Sequence, residues 1–294
     1  MPSVQTADIN TYYVEAGAGP PVVFIHGAVL DHRQWRPQQR ALADEYRTIA
    51  YDVRGHGRTG GSARARYTIN TFVADLDSFI RKLSLDRPVL CGLSMGGCIA
   101  QAYAAAFPDR ISGLVLVDTF TPELFDRREW FQRSVTLRAT IPPVRLLGYE
   151  RVEKVMVWFQ ERIEGRQSGG NYERIVNLRA NGPKMDTEEF AKVIRALASF
   201  HEIPVTLAAI SVPTLVLYGE HELAFVRRHA EKLGAVVPDV VIQEVPDAGH
   251  ASNLDNPEYV TAQLRLFLAE RVDYDGLGGQ RTSPSENEDT TPPA

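Results

Sequence analysis

Three side chains of this 294-residue sequence have types and surroundings suited to nucleophilic chemistry at a carbonyl. Ser94 stands in Gly92-Leu93-Ser94-Met95-Gly96, a G-x-S-x-G pattern, between an apolar run ending at Cys91 and an Ala-rich stretch starting near Met95. A serine on so tight a strand-to-helix turn takes strained backbone angles, and its hydroxyl is lifted clear of the sheet. Its neighbours must be small, and Gly92, Gly96 and Gly97 are. The five-residue pattern alone also occurs in turns that do no chemistry; the flanking strand and helix favour a nucleophile here. A serine hydroxyl needs a base to take its proton. Of the seven histidines, His250 in Val245-Pro246-Asp247-Ala248-Gly249-His250 directly follows the last strand-like run and is the candidate base. A lone histidine is otherwise an ordinary surface or core residue, and its position decides between the two readings.

An acid must orient that histidine and stabilise the imidazolium it becomes. The run Pro213 to Tyr218 leads into Gly219-Glu220-His221-Glu222, where Glu222 is the expected acid. Glu220, Asp118 and Asp247 are rivals, Glu220 fitting better as a solvated loop carboxylate. The oxyanion of a tetrahedral intermediate would need two backbone N–H donors. Met95 supplies one. The loop after His26-Gly27 supplies the other from Ala28, with Val29 as the alternative. His26 itself reads as a brace for that loop.

These residues need a scaffold, and strand-like runs alternate with helical patterns in the manner of an α/β fold with a mostly parallel sheet. Strands are expected at Pro21 to His26, Tyr46 to Tyr51, Pro88 to Cys91, Gly113 to Val117, Pro213 to Tyr218 and Val240 to Val245. Helices are expected at Thr68 to Leu83, Met95 to Phe107 and Tyr259 to Glu270. Between Thr119 and Val212 no strand signal appears. Helical patterns lie in Glu123 to Leu137, Val152 to Ile163, Tyr172 to Leu178 and Phe190 to Phe200. The sequences Ile141-Pro142-Pro143 and Ser168-Gly169-Gly170 read as turns between them. The expected division is a core of residues 1–118 and 213–272, a helical cap of 119–212, and an acidic tail of 273–294 too polar to order itself.

Composition narrows the partners. Thirty-two basic and 37 acidic residues give a net charge of −5, which offers no basic field for nucleic acid. Five of the acidic residues and a single basic one lie from Asp273 onward, so residues 1–272 are close to neutral. Cys91 and Cys98 are the only cysteines, which excludes a disulfide scaffold or zinc-finger array. They read as small buried fillers. No signal peptide and no apolar run long enough to span a membrane is visible, so a cytoplasmic protein is expected. No metal or cofactor is expected.

Taken together, these motifs resemble the α/β-hydrolase superfamily over about residues 10 to 272. Beside Gly92-Leu93-Ser94-Met95-Gly96 and His26-Gly27, the chain carries Asp52-Val53-Arg54-Gly55-His56-Gly57-Arg58-Thr59, similar to the family's D-x-R-G-x-G-x-S turn with Thr for the last Ser. It also has Gly249-His250 followed by Asn253-Leu254-Asp255-Asn256-Pro257. The resemblance implies a serine–acid–histidine hydrolase, with Asp52 and Arg54 structural. The family's usual G-x-x-D appears here as Gly219-Glu220-His221-Glu222, a departure that bears on the acid. Haloalkane dehalogenases and epoxide hydrolases of this fold would carry Asp where Ser94 stands. The remaining branches are esterases, lactonases and carbon–carbon hydrolases, and the Gly-Leu-Ser-Met-Gly-Gly elbow looks like that of enol-lactonases. The expected reaction is hydrolysis of a small, apolar carboxylic ester or lactone. An acyltransferase or perhydrolase on the same triad, or a receptor that kept the fold, are the alternatives. Val29, Phe120, Phe125, Trp130 and Trp158 are the expected substrate contacts, although each cap aromatic could equally serve helix packing.

Overall fold

The computed structural model describes residues 2–152, 154–155 and 172–274. Its centre is an eight-stranded sheet: β1 (Ser3–Thr6), β2 (Ile9–Ala16), β3 (Pro21–Ile25), β4 (Arg47–Tyr51), β5 (Val89–Leu93), β6 (Gly113–Val117), β7 (Thr214–Gly219) and β8 (Val240–Val245). The spatial order is β1-β2-β4-β3-β5-β6-β7-β8. The pairings β1/β2 and β2/β4 are antiparallel and the rest are parallel.

The central strands are short and apolar at nearly every position, as a parallel sheet covered on both faces requires. Side chains alternate between the faces. Val23, Ile25, Leu90, Leu114, Leu116 and Val216 pack with the helices Ile69–Lys82 and Met95–Ala106. Val22, Phe24, Cys91, Leu93, Val115 and Leu217 pack on the other face with Trp35, Leu42, Leu264 and Phe267. Each large side chain so buried contributes about 1.5–3 kcal/mol.

The parallel register gathers the site. Leu93 lies opposite Val117, Val117 opposite Leu217, and Gly219 opposite Val245. The segments that follow β5, β6, β7 and β8 therefore leave the same edge of the sheet. Residues far apart in sequence meet there.

The six strands and the helices expected at Thr68 to Leu83, Met95 to Phe107 and Tyr259 to Glu270 are present, with ends unmoved or moved by one or two residues. The helix Ile69–Lys82 has Thr68 as its N-cap, with a reciprocal capping box to Thr71. Three features were not read from the sequence: the β1–β2 hairpin and the helices Arg36–Leu42 and Ala224–Val236. One expectation is corrected. Ile141-Pro142-Pro143 is not a turn but the start of the helix Ile141–Leu147. Proline costs nothing in a helix's first turn, where its missing N–H would have no intrahelical partner.

Between β6 and β7 the described residues are helical and contain no strand. The pattern Glu123 to Leu137 is a helix from Arg127, capped by Asp126, that passes through a π-helical turn at Phe131–Thr136. The helices Tyr172–Ala180 and Thr187–Ala198 follow. Ile141, Val144, Tyr149, Phe190 and Ile194 form a small core of their own. Most of the pattern Val152 to Ile163, the turn Ser168-Gly169-Gly170, and the tail from Asp275 onward lie outside the described residues.

Candidate active site

Ser94 sits between β5 and the helix Met95–Ala106 with φ 52° and ψ −112°. A non-glycine residue held there stores about 1–3 kcal/mol, and only surrounding contacts can keep it so. The Ser94 amide donates to the Val117 carbonyl at 2.9 Å. Its carbonyl accepts from the Cys98 amide at 3.0 Å and from Thr119 Oγ1 at 2.7 Å. The glycines leave the room that the turn needs. A Cβ on Gly92 would overlap the Gly96 carbonyl, one on Gly96 the Ile25 carbonyl, and one on Gly97 the Thr119 side chain.

Ser94, His250 and Glu222 form one chain of hydrogen bonds. Ser94 Oγ lies 3.0 Å from His250 Nε2, and His250 Nδ1 lies 2.7 Å from Glu222 Oε2. The Glu222 side chain is fully buried. Its Oε1 accepts the Leu223 amide at 2.7 Å, which fixes the plane of the carboxylate. An anionic acceptor on Nδ1 keeps the proton there and leaves Nε2 free to accept from Ser94. Burial works against protonation of His250, but the Glu222 carboxylate outweighs it, with Asp118 and Asp255 adding to the effect, and the imidazole is pushed up to about 9.

The rival carboxylates occupy different places. Glu220 Oε2 accepts the Asp247 amide at 3.0 Å, tying two loops together. Asp118 follows β6, fully buried, with φ 45°. It accepts the Gly219 amide at 3.0 Å on Oδ1 and the Ser252 amide at 2.9 Å on Oδ2. It thus clamps the end of β7, which leads to Glu222, to the loop that carries His250. Burial first, and the Glu222 charge second, push the Asp118 carboxyl well above the usual carboxylate range. The His250 loop is held again by Asp255, whose Oδ2 accepts the Gly249 amide at 2.9 Å. The clamps on Asp118 and Asp255 were not anticipated from sequence.

Met95 opens its helix, so its amide is among the first-turn donors that no intrahelical carbonyl takes. The loop after β3 lies against the elbow: a Cβ on Gly27 would stand 3.6 Å from Ser94 Cβ. That loop is braced from several sides. The Gly27 amide donates to Gln34 Oε1 at 2.8 Å. His26 Nδ1 donates to the Gly27 carbonyl at 2.8 Å, and His26 Nε2 accepts the Val53 amide at 2.9 Å. Burial holds His26 neutral, as both bonds require. Val29 has φ 55° and accepts from Arg179 Nε at 3.2 Å, linking the loop to the helices above the sheet.

The expected substrate contacts are distributed unevenly. Val29 packs beside the Ile141–Phe190 cluster. Phe120 is buried two residues beyond Asp118, with Cys98 Sγ 3.6 Å from its carbonyl. Phe125 lies tilted against His229, ring centroids 4.7 Å apart, and Trp130 is 47% exposed. Trp158 lies outside the described residues. Cys91 and Cys98 are free and buried, and burial pushes the Cys98 thiol up to about 12.

The Asp52–Arg58 turn is structural in its contacts. Asp52 accepts from the His32 amide and ring and from the Arg58 amide. Buried Arg54 pairs with Asp75 at 2.6 Å and Asp8 at 2.7 Å. Among the described residues, two groups of side chains bring metal-type donors together, Asp31 with His32 and Asp52, and Glu220 with His221 and Asp247. Asp31 and Asp52 already serve Arg33, His32 and Arg58, and Glu220 serves the Asp247 amide.

A mostly parallel sheet whose C-terminal edge carries a strained serine after β5, an acid after β7 and a histidine after β8 defines a class. The chain belongs to the α/β-hydrolase fold family, whose model matches residues 20–257. Among its relatives is haloalkane dehalogenase 2 of Mycobacterium tuberculosis, 29% identical over 266 residues, which are 86% of this chain and 89% of the relative. The 3-oxoadipate enol-lactonase 1 of Acinetobacter baylyi is 26% identical over 240 residues, covering 81% and 85% of the two chains. The solved structure of a thermophilic esterase from Thermogutta terrifontis superposes with a TM-score of 0.76 at 28% identity, over 93% of this chain and 100% of that one. These relatives carry different activities, so the likeness establishes a hydrolase family and leaves the reaction to the site. No helix among the described residues is long and apolar enough to cross a membrane.

Proposed function

We propose that this protein is a serine hydrolase that cleaves a small, apolar carboxylic ester or lactone through an acyl-enzyme. The observation that carries the reading is the chain Ser94 Oγ–His250 Nε2 at 3.0 Å and His250 Nδ1–Glu222 Oε2 at 2.7 Å. Ser94 attacks the carbonyl carbon while His250 Nε2 takes its proton. The oxyanion is met by the amides of Ala28 and Met95. Collapse expels the alcohol, or opens the lactone ring, with His250 returning the proton. Water then attacks the acyl-enzyme with His250 again as base, and Ser94 is restored.

Serine at the elbow distinguishes this chain from the dehalogenase reading, which needs a carboxylate nucleophile there. The esterase and enol-lactonase relatives lend support to acyl chemistry. In the same proposal, residues 119–212 act as a cap over the core of 1–118 and 213–272. Val29, Phe120, Phe125, Trp130 and Trp158 are the candidate substrate contacts. The partner is the small-molecule substrate. Two free thiols suit a cytoplasmic location.

The test is labelling with a fluorophosphonate probe beside hydrolysis of a p-nitrophenyl ester series and a lactone panel. Ser94→Ala is expected to abolish both labelling and turnover. Labelling that survives in Ser94→Ala would mean that the nucleophile is another residue.

A further inference from the structure

A groove of about 530 Å³ opens where the core meets the helices between β6 and β7, and no residue of the catalytic set lines it. The core supplies Arg66 and Thr68. The other wall supplies Arg138, Lys192, Arg195 and Glu202. Four cations thus face one carboxylate, and with Glu189, which pairs with Lys192, the local excess is two positive charges on a chain whose net charge is −5.

The existing partners leave much of that charge uncompensated. Lys192 is paired with Glu189 at 2.7 Å, and Glu189 in turn accepts from Tyr67 at 2.6 Å, a latch between core and cap. Arg138 reaches Glu202 only at 3.8 Å, both side chains being well exposed. A pair of that kind is worth little. Arg66 and Arg195 have no carboxylate partner among the described residues and come from opposite walls. Thr68 caps a 14-residue helix, so the positive end of that helix dipole lies at the same wall.

We propose that this groove is a binding site for a small soluble anion carrying two or more phosphate charges. Guanidinium forks match phosphate oxygens in geometry as well as charge. Such a ligand would relieve the mutual repulsion of Arg66, Arg138 and Arg195. It would also join core to cap beside the Tyr67–Glu189–Lys192 latch.

The experiment is calorimetric titration of the full-length protein with sodium pyrophosphate at low and physiological salt, beside Arg66→Ala, Arg195→Ala and Arg66→Glu/Arg195→Glu. All three variants change exposed residues. The expected result is saturable one-to-one binding that weakens about tenfold in each single variant and is lost in the double reversal. Ester hydrolysis without pyrophosphate should be unchanged throughout. Absence of saturable binding, several equivalent weak sites, or equal affinity in the double reversal would overturn the site. Citrate binding as tightly as pyrophosphate would overturn its phosphate character. Sedimentation with phosphatidic acid vesicles that pyrophosphate fails to reverse would overturn the assignment to a soluble ligand.

Discussion

Glutamine in place of Glu222 changes one atom and tests how His250 is oriented. Glu222 Oε1 accepts the Leu223 amide at 2.7 Å, so in Glu222→Gln the side-chain carbonyl oxygen is required at that position. The new NH2 must then face His250 Nδ1, where the carboxylate oxygen now lies at 2.7 Å. It donates to Nδ1 and drives the ring proton onto Nε2. An Nε2–H cannot accept from Ser94 Oγ, 3.0 Å away. A tautomer reversal of this kind costs about 10⁴ in kcat, or roughly 5.5 kcal/mol of barrier. The pH profile moves as well. Burial lowers the His250 pKa and Glu222 raises it, to about 9 in sum. The base works when neutral, so wild-type kcat/KM should rise with pH up to that region. Without Glu222 the strongest raising influence is gone and only Asp118 and Asp255 oppose burial, so the acid limb should move to lower pH. The assay is kcat/KM for p-nitrophenyl acetate from pH 5 to 10. Activity of Glu222→Gln within tenfold of wild type, with an unmoved limb, would refute the reasoning and pass the role to Asp118.

Three further outcomes are expected. Asp118→Asn keeps the shape but sets an NH2 against one of the two amides that Asp118 now accepts; urea titration should show a loss of about 1–3 kcal/mol, and the His250 limb should shift down because one raising charge is gone. Arg54→Ala strands the buried Asp75 carboxylate, which pairs with it at 2.6 Å. It should destabilise by about 3–5 kcal/mol, and a loss below 1 kcal/mol in denaturant titration would contradict that account. Trp130→Ala removes a side chain that is 47% exposed, so stability should stay within about 0.5 kcal/mol; a KM rise beyond threefold would place Trp130 at the substrate.

The sheet was legible because its strands are local signals. Gly113–Val117 and Val240–Val245 are apolar or β-branched runs bounded by turn residues, and their limits agree between sequence and structure. The hairpin β1–β2 gave no such signal, since Asn10, Thr11 and Glu15 mix polar residues into β2, whose pairing with β1 on one side and β4 on the other is a tertiary matter. The helix Ile141–Leu147 was hidden by its prolines. Their meaning depends on whether they fall before a helix or in its first turn.

The sequence by itself determined the strand–turn–helix elbow that presents Ser94 as the candidate nucleophile, because strand, glycines and helix around it are contiguous and their steric demand is local. It also pointed to His250 as the candidate base and preferred Glu222 as the acid, with three rival carboxylates. Choosing among Glu222, Glu220, Asp118 and Asp247 needed the tertiary structure, since all four lie near strand ends at one edge of the sheet. Register brings them together, and only three-dimensional placement puts Glu222 Oε2 on His250 Nδ1 while Asp118 is spent on two backbone amides. The basic groove belongs to the same category. Arg66, Arg138 and Arg195 are far apart in sequence and carry no motif, and they come to line one space only through the tertiary fold.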